Sequence, residues 1–276
     1  MAHKLTIEPQ SVQETMFLPA WGRAKYSHMY PELLDDPRAE EIMGKIDYDF
    51  SKVEKGFDEN SGIGWLVRAR NFDDAIKEYI KKYPEATIIN LGAGLDTTFF
   101  RVDNGKIAWY DLDLPDAIDF RKKLIPETSR SECIAKSAFD VSWFDDLDYE
   151  EDKGIYIIAG GFFYYFEESE IRRLVSSMAE SFPDGGLIFD AISKAGLWFT
   201  NRMVKKTGNT GAEVHFSLGN PVKQISGWSG NIEVAEWYPY WHGVKRDPRW
   251  SKNTIFKMNF CDWFKIAKFV QLRFIK

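Results

Sequence analysis

Ile88-Ile-Asn-Leu-Gly-Ala-Gly-Leu-Asp-Thr-Thr98 is the stretch on which the reading of this chain turns. A short β-rich run, Ala86–Leu91, opens onto Gly92-Ala-Gly94. A strand ending in Gly-x-Gly lets the backbone turn tightly and pass close to a ligand with no Cβ in the way. The next strand, Lys106-Ile-Ala-Trp-Tyr-Asp-Leu112, reaches its end between Asp111 and Asp113, roughly 20 residues after the glycines. A carboxylate there can accept hydrogen bonds from a ribose diol. Strand, glycine loop, strand and terminal acid, in that order, predict an adenosine-containing cofactor over the carboxyl ends of the first two strands.

The surroundings repeat this alternation. Before residue 85 the chain reads as helices: Ala39–Gly44 after Asp36-Pro37, then Gly62–Lys82, where Trp65, Phe72, Ile76, Tyr79 and Ile80 recur at helical spacing and Pro84 ends the run. After Asp116–Leu124, a further helix, the apolar run Gly154–Ala159 reads as a parallel strand covered on both faces. Glu167–Ser181 is amphipathic, with Ile171, Leu174, Val175 and Met178 inward, and Leu187–Ala191 is another strand. Such βαβ units imply an α/β, doubly wound, mostly parallel sheet. Gly196–Asn231 has no clear period and reads as an insertion or lid before two last strands, Ile232–Tyr238 and Phe269–Ile275. The expected division is a helical segment over 1–85, a cofactor-binding core over 86–195, a lid over 196–250, and the core's last helix and strand over 251–276.

Composition removes several function classes. Lys and Arg total 36 against 42 Asp and Glu, a net charge of −6, which lacks the basic footprint of a nucleic-acid binder. Two isolated cysteines, Cys133 and Cys261, fit a reducing compartment and no cysteine zinc site. The four histidines, His3, His28, His215 and His242, lack metal-ligand spacing, so no metal is expected. The start lacks the basic-then-apolar order of a signal peptide, and no run could span a bilayer. Asn259–Lys276 mixes Phe and Trp with Lys and Arg, as a membrane-surface helix would. The alternation in Phe269–Ile275 favours an ordinary last helix and strand, so the expectation is a cytoplasmic protein with no membrane partner. No Gly-Lys-Ser/Thr completes a phosphate-binding loop. Gly227-Trp-Ser-Gly-Asn231 is an imperfect nucleophile elbow in the wrong context.

Where the dinucleotide fingerprint needs its third glycine stands Thr97, preceded by Asp96. An acid at the loop rim repels a pyrophosphate but can accept a hydrogen bond from an ammonium. S-adenosylmethionine carries a sulfonium, an ammonium and no phosphate, and is favoured over NAD. Asp96 could equally cap the following helix beside either cofactor.

Arg23-Ala-Lys25, Asp36-Pro37, Val67-Arg-Ala-Arg-Asn-Phe-Asp73, Asn90-Leu-Gly-Ala-Gly-Leu-Asp-Thr97, Trp109-Tyr-Asp-Leu-Asp-Leu-Pro115 and Ala159-Gly-Gly-Phe-Phe-Tyr-Tyr165 together resemble the leucine carboxyl methyltransferase family. That family also contains polyketide-pathway O-methyltransferases of the tetracenomycin type. The resemblance runs from residue 20 to residue 190 and implies a Rossmann-like class I methyltransferase with a seven-stranded sheet. It further implies that Lys25 and Arg68 face the methionine carboxylate of S-adenosylmethionine, with Arg70 an equal candidate. Gly92 and Gly94 would line its chain, Asp113 hold the ribose, and Asp140 accept from the adenine amino group. The family's usual glutamate after the fourth strand is here Gly160, a departure for which Asp96 or Glu167 could compensate.

Methyl transfer from a sulfonium is an in-line displacement governed by proximity. A carboxylate acceptor needs no general base, whereas a phenol or alcohol does. Tyr165 is the candidate catalytic residue, orienting the acceptor, with His215 and His242 nearby in the variable region. The expected partner is a small methyl acceptor, the sequence leaving the oligomeric state open. The alternatives are a protein carboxyl methyltransferase and a silent cofactor-binding protein. Six tryptophans, Trp198, Trp228, Trp237, Trp241, Trp250 and Trp263, follow Ala191, and the lid from Gly196 to Trp250 is expected to line an apolar acceptor pocket.

Overall fold

A computed structural model describes residues 5–6, 12–51, 57–207 and 213–276. Its centre is a seven-stranded sheet built of β1 (Thr87–Leu91), β2 (Ala108–Asp113), β3 (Ser131–Ala135), β4 (Ile155–Ala159), β5 (Gly186–Ile192), β6 (Ile232–Pro239) and β7 (Ala267–Phe274). The spatial order is β3-β2-β1-β4-β5-β7-β6. Neighbours from β3 to β5 are parallel, and β7 runs antiparallel to both β5 and β6. The chain steps outward from β1 to β3, then returns to β4 on the other side of β1. That reversal is a topological switch point, where ligands bind beyond the carboxyl ends of the strands.

Alternating side chains divide the sheet between two cores. Ile88, Trp109, Tyr156, Ile158, Ile188 and Phe269 meet the long helix Glu59–Lys82 and the short helix Thr98–Val102 on one face. Ile89, Leu91, Leu112, Ile157, Leu187 and Phe189 meet the helix Glu168–Ser181 and the 216–228 segment on the other. The helices are α1 (Val12–Met29), α2 (Pro37–Gly44), α3 (Glu59–Lys82), α4 (Thr98–Val102), α5 (Pro115–Leu124), α6 (Glu168–Ser181), α7 (Lys194–Thr207), α8 (Pro221–Ile225) and α9 (Lys252–Trp263). Asp58 caps α3 by accepting from the Ser61 N–H at 3.0 Å, and the predicted inward residues of α6 are all buried.

Two elements differ from the sequence expectation. Ser131–Ala135 carries no recognisable strand pattern because β3 is an edge strand, with Glu132 and Ala135 exposed. The segment expected to be irregular from Gly196 contains α7 and α8. The period of α7 is concealed because Trp198 and Phe199 lie on its exposed side. His3 and residues 208–212 lie outside the described residues.

Downstream of α7 the chain is fastened to the sheet. His215 and Phe216 donate their N–H groups to Tyr164 O at 2.7 and 3.2 Å, and Leu218 donates to Ile192 O at 2.7 Å. Lys268 of β7 is buried and donates to Leu218 O and Gly219 O at 2.6 and 2.7 Å, with no carboxylate in ion-pair range among the described residues. Burial, aided by Lys265, pushes its pKa down from 10.5 to about 8. The native state therefore releases this proton above pH about 8, while the unfolded chain keeps it until about 10.5. Stability then rises with pH in that window, because the unfolded state binds more protons. Chemical denaturation of wild type and Lys268→Met at about pH 7 and about pH 10 should show the difference shifting in favour of wild type at the higher pH. A pH-independent difference would mean that Lys268 keeps its ordinary pKa.

Candidate functional site

Gly92 and Gly94 leave β1 with φ of +65° and +46°, a region that side chains with a Cβ rarely enter. The loop's carbonyls point away from the cleft. Arg121 of α5, fully buried, donates to Gly94 O at 2.9 Å and Asp96 O at 2.8 Å, and Arg23 of α1 donates to Leu95 O at 2.9 Å. Of the two acids at the end of β2, Asp111 is engaged below, accepting from Arg121 at 2.5 Å and Asn90 at 2.9 Å. Asp113 is at the rim, accepting the Gly94 and Leu114 N–H groups, each at 2.8 Å. A carboxylate has about four lone-pair sites, so Asp113 can still accept from a diol. Burial raises its pKa against the lowering effect of those two N–H groups.

Beneath the loop lies an ionic network that the sequence did not disclose. The Asp36 carboxylate, fully buried, accepts from Arg23 at 2.9 Å, Arg101 at 2.9 Å, Thr97 at 2.7 Å and the Ala39 N–H at 3.1 Å. Arg101 also forks onto Asp73 at 2.8 and 2.9 Å. Asp96 accepts from Asn90 and from the Thr98 N–H, both at 3.3 Å, and lies 3.8 Å from Arg23. Burial alone would raise the Asp96 pKa, but Arg23, Arg101 and Arg121 lower it below the usual range. It stands one residue before the N-cap of α4, Thr97, with arginines around it.

A second group gathers where β4 ends. Gly161 has φ +70°, and a Cβ there would stand 2.6 Å from Arg68 Nη1. Asp190 of β5, buried, accepts from the Gly161 N–H at 2.6 Å and from the Tyr164 hydroxyl at 2.8 Å, and lies 3.8 Å from Arg68. That distance is too long for a hydrogen bond. Among the described residues the Arg68 guanidinium donates none, although 19% of its side chain is exposed. Burial opposes its charge, but Asp190 and the phenols of Tyr240, Tyr164 and Tyr165 raise its pKa. Asp190 escaped the sequence analysis; its only signal is an acid inside the apolar run Leu187-Ile-Phe-Asp-Ala191.

The other expected residues distribute unevenly. Arg70 separates from Arg68, pairing with Asp74 at 3.5 Å on the exposed side of α3. Lys25 places its ammonium over the Trp21 ring, 5.1 Å from the centroid. At Gly160 a Cβ would come within 2.9 Å of the Phe72 ring, so that ring fills the place of a side chain. Glu167 is turned to other work, forming a capping box with Glu170 at the start of α6. Asp140 is exposed and accepts from the Ser142 N–H at 3.1 Å, which holds its pKa below the usual value. Its neighbour Phe139 stacks on Phe162, whose ring lies against Gly92, and this contact joins the β3 end to the glycine loop.

Tyr165 is half-exposed, and burial raises its phenol pKa, against the opposing effect of Arg68. His215 lies 3.6 Å from Glu167, and His242 packs on Tyr238. The tryptophans do not converge on one pocket. Trp228, Trp241 and Trp250 are each about 5% exposed, the latter two against α1 and α3, because a ring buried between helices stabilises more than one lining an open cleft.

These residues fit an adenosine at the β2 end and a carboxylate at the β4 end. The glycine loop joins the two, and Arg23 and Arg121 grip it through the Leu95 and Gly94 carbonyls. The family model of leucine carboxyl methyltransferases matches residues 16–179, well over half the chain. The chain is 29% identical over 217 residues, 78% of each protein, to the tetracenomycin polyketide synthesis O-methyltransferase TcmP of Streptomyces glaucescens. In fold it is similar to a candidate methyltransferase from Thermobifida fusca, with a TM-score of 0.63 at 12% identity, covering 86% of this chain and 93% of the other. A DUF574 family protein from Streptomyces avermitilis gives 0.61 at 11% identity, covering 85% and 94%.

Proposed function

This chain belongs to the leucine carboxyl methyltransferase family and is an S-adenosylmethionine-dependent methyltransferase, and we propose that it methylates a carboxylate or hydroxyl oxygen of a small, apolar or aromatic metabolite. The observation that carries the site assignment is Arg68: a partly exposed guanidinium beside Gly161 and Asp190 that donates no hydrogen bond among the described residues. In this reading Arg68 binds the methionine carboxylate, Gly92 and Gly94 admit the chain, Asp113 holds the ribose and Asp140 accepts from the adenine. Lys25 and Asp96 supply further charge around the methionine end. With Phe72 in the place of a side chain at Gly160, the ammonium depends on acceptors other than the family's glutamate.

When bound, S-adenosylmethionine supplies a methyl group on a sulfonium, which a nucleophilic oxygen displaces in line. Tyr165, protonated at neutral pH, donates to the acceptor and orients it. A carboxylate acceptor needs nothing more, which favours it where no base stands by. The aromatic side chains of Phe139, Phe162 and Phe166 beside the glycine loop support a flat or greasy acceptor. So does the likeness to an O-methyltransferase named for polyketide synthesis. Residues 86–195 form the cofactor core in this reading, with 1–85 packed on it, 196–250 on the acceptor side and 251–276 closing the sheet.

Calorimetric titration with S-adenosylhomocysteine tests the assignment, with NADH as control. Asp113→Ala should lose about tenfold or more in affinity, since it removes a charged acceptor, while its melting curve stays close to wild type. No heat from wild type at about millimolar ligand would overturn the cofactor site, and unchanged binding by the variant would move the ribose elsewhere. A screen with methyl-labelled cofactor against metabolite extracts and intact proteins separates a small acceptor from a protein carboxyl terminus.

A further inference from the structure

We infer that the surface formed by α7 and α9 docks this enzyme on an anionic lipid bilayer. Helix α9 buries Thr254 and Met258 and turns Phe256, Phe260, Trp263 and the following Phe264 outward, with Phe256 66% and Trp263 85% exposed. Phe260 follows Phe256 by four residues, and Trp263 and Phe264 follow Phe260 by three and four, which puts these rings on one stripe. Phe260 lies 6.1 Å from Phe256 and 4.6 Å from Phe264, centroid to centroid. Helix α7 starts against the end of this stripe: the Ser193 N–H donates to Ile266 O at 2.7 Å, and Gly196 lies close on Ile266. One turn on, α7 presents Trp198 and Phe199, both exposed. Six large aromatics thus stand out from two adjoining helices. The sequence assigned this region to an ordinary last helix and strand; both are there, but the aromatic side of the helix does not enter the core.

Charge decides what the face suits. The sequence from Lys194 to Thr207 has no acid, and the only one on α9, Asp262, turns inward to Arg246 at 3.1 Å and the Trp241 N–H at 3.0 Å. Lys257 is paired with Asp58. Lys194, Arg202, Lys252 and Lys265 are exposed and form no ion pair among the described residues, while Arg202 and Lys265 lie over Trp198 and Trp237. On a chain with net charge −6, this face is locally basic. A two-fold partner would bring the same cations against themselves, which disfavours a second copy of the chain. Protruding rings flanked by Lys and Arg match the boundary of an anionic bilayer, where aromatic rings settle at headgroup depth and cations meet lipid phosphates.

The location gives the docking a use. Ile192, the last residue of β5, pairs with Ala267, the first of β7, so both helices meet the sheet at the same end as Arg68 and Asp113. An acceptor dissolved in a bilayer would reach the cleft from that side. Docking stands apart from the cofactor assignment, and vesicle binding without added cofactor tests it alone.

The test is co-sedimentation of the full chain with phosphatidylcholine vesicles, with and without about 30 mol% phosphatidylglycerol. Binding is expected only with the anionic lipid, weakened in about 0.5 M salt. It should fall tenfold or more in the double variant Trp263→Ala, Phe264→Ser, whose melting and S-adenosylhomocysteine binding should match wild type. Failure to sediment with anionic vesicles would overturn the inference, as would equal binding by the double variant. So would a concentration-dependent dimer in sedimentation velocity that the same substitutions abolish, which would make the face a self-interface.

Discussion

Arg68→Ala is expected to weaken S-adenosylhomocysteine binding by about 10- to 100-fold, the loss of a charged hydrogen-bond donor worth about 1.5–3 kcal/mol. The side chain donates no hydrogen bond among the described residues, but buried Asp190 loses the cation 3.8 Å away, so a lowered melting midpoint is expected beside the binding loss. Asp190 keeps both of its donors, the Gly161 N–H and the Tyr164 hydroxyl, when the guanidinium is gone. Arg68→Lys should fall between wild type and alanine, because an ammonium keeps the charge but not the planar fork that matches a carboxylate. Isothermal titration measures all three. If alanine binds as tightly as wild type, the methionine carboxylate is held elsewhere and the orientation of the ligand along the glycine loop must be reversed.

The second large effect is on stability. Asp36→Ala should cost about 3–5 kcal/mol, the usual consequence of removing one partner from a buried ionic group. Two guanidinium groups, Arg23 and Arg101, would be left facing each other across the space of the lost carboxylate, and α2 would lose its cap at Ala39. At about 2–4 °C per kcal/mol for a chain of this size, the melting midpoint should fall by about 6–20 °C. A shift of only a degree or two would show that Asp73 and Asp96 can take over both arginines. The same variant carries a second expectation: Arg23, released from Asp36, no longer fixes Leu95 O, so cofactor affinity should drop although Asp36 is remote from the ligand face.

What was legible in the sequence was whatever obeys a period or a loop geometry. The strand run before Gly92, the apolar stripe of α3 and the acids after β2 each leave a local signature, and the parallel order follows from alternation. β3 left none, because an edge strand of five residues with an exposed glutamate has no reason to be apolar. Helix α7 was concealed by aromatic residues on its solvent side. In the site, the resemblance supplied both the residues and the contacts expected of them, but left Arg68 and Arg70 as equal candidates. Nothing local in Arg68-Ala-Arg70 says which arginine turns toward β4; the direction is set by the packing of α3 on the sheet. Asp36, Asp73 and Arg101 lie far apart in sequence, and their shared burial is a tertiary fact without a local pattern.

Three consecutive carbonyls, those of Gly94, Leu95 and Asp96, are gripped from below by guanidinium groups of two different helices. The floor of the cleft is therefore already in its ligand-ready shape before anything binds. The conformational entropy of ordering it is spent during folding and is not subtracted again from the affinity. Under the proposed assignment, selectivity among cofactors would come from a fixed mould, and adaptation to different acceptors would fall to the segment beyond Ile192. Exchanging residues 196–250 between relatives should thus alter which molecule is methylated without retuning how the methyl donor is held.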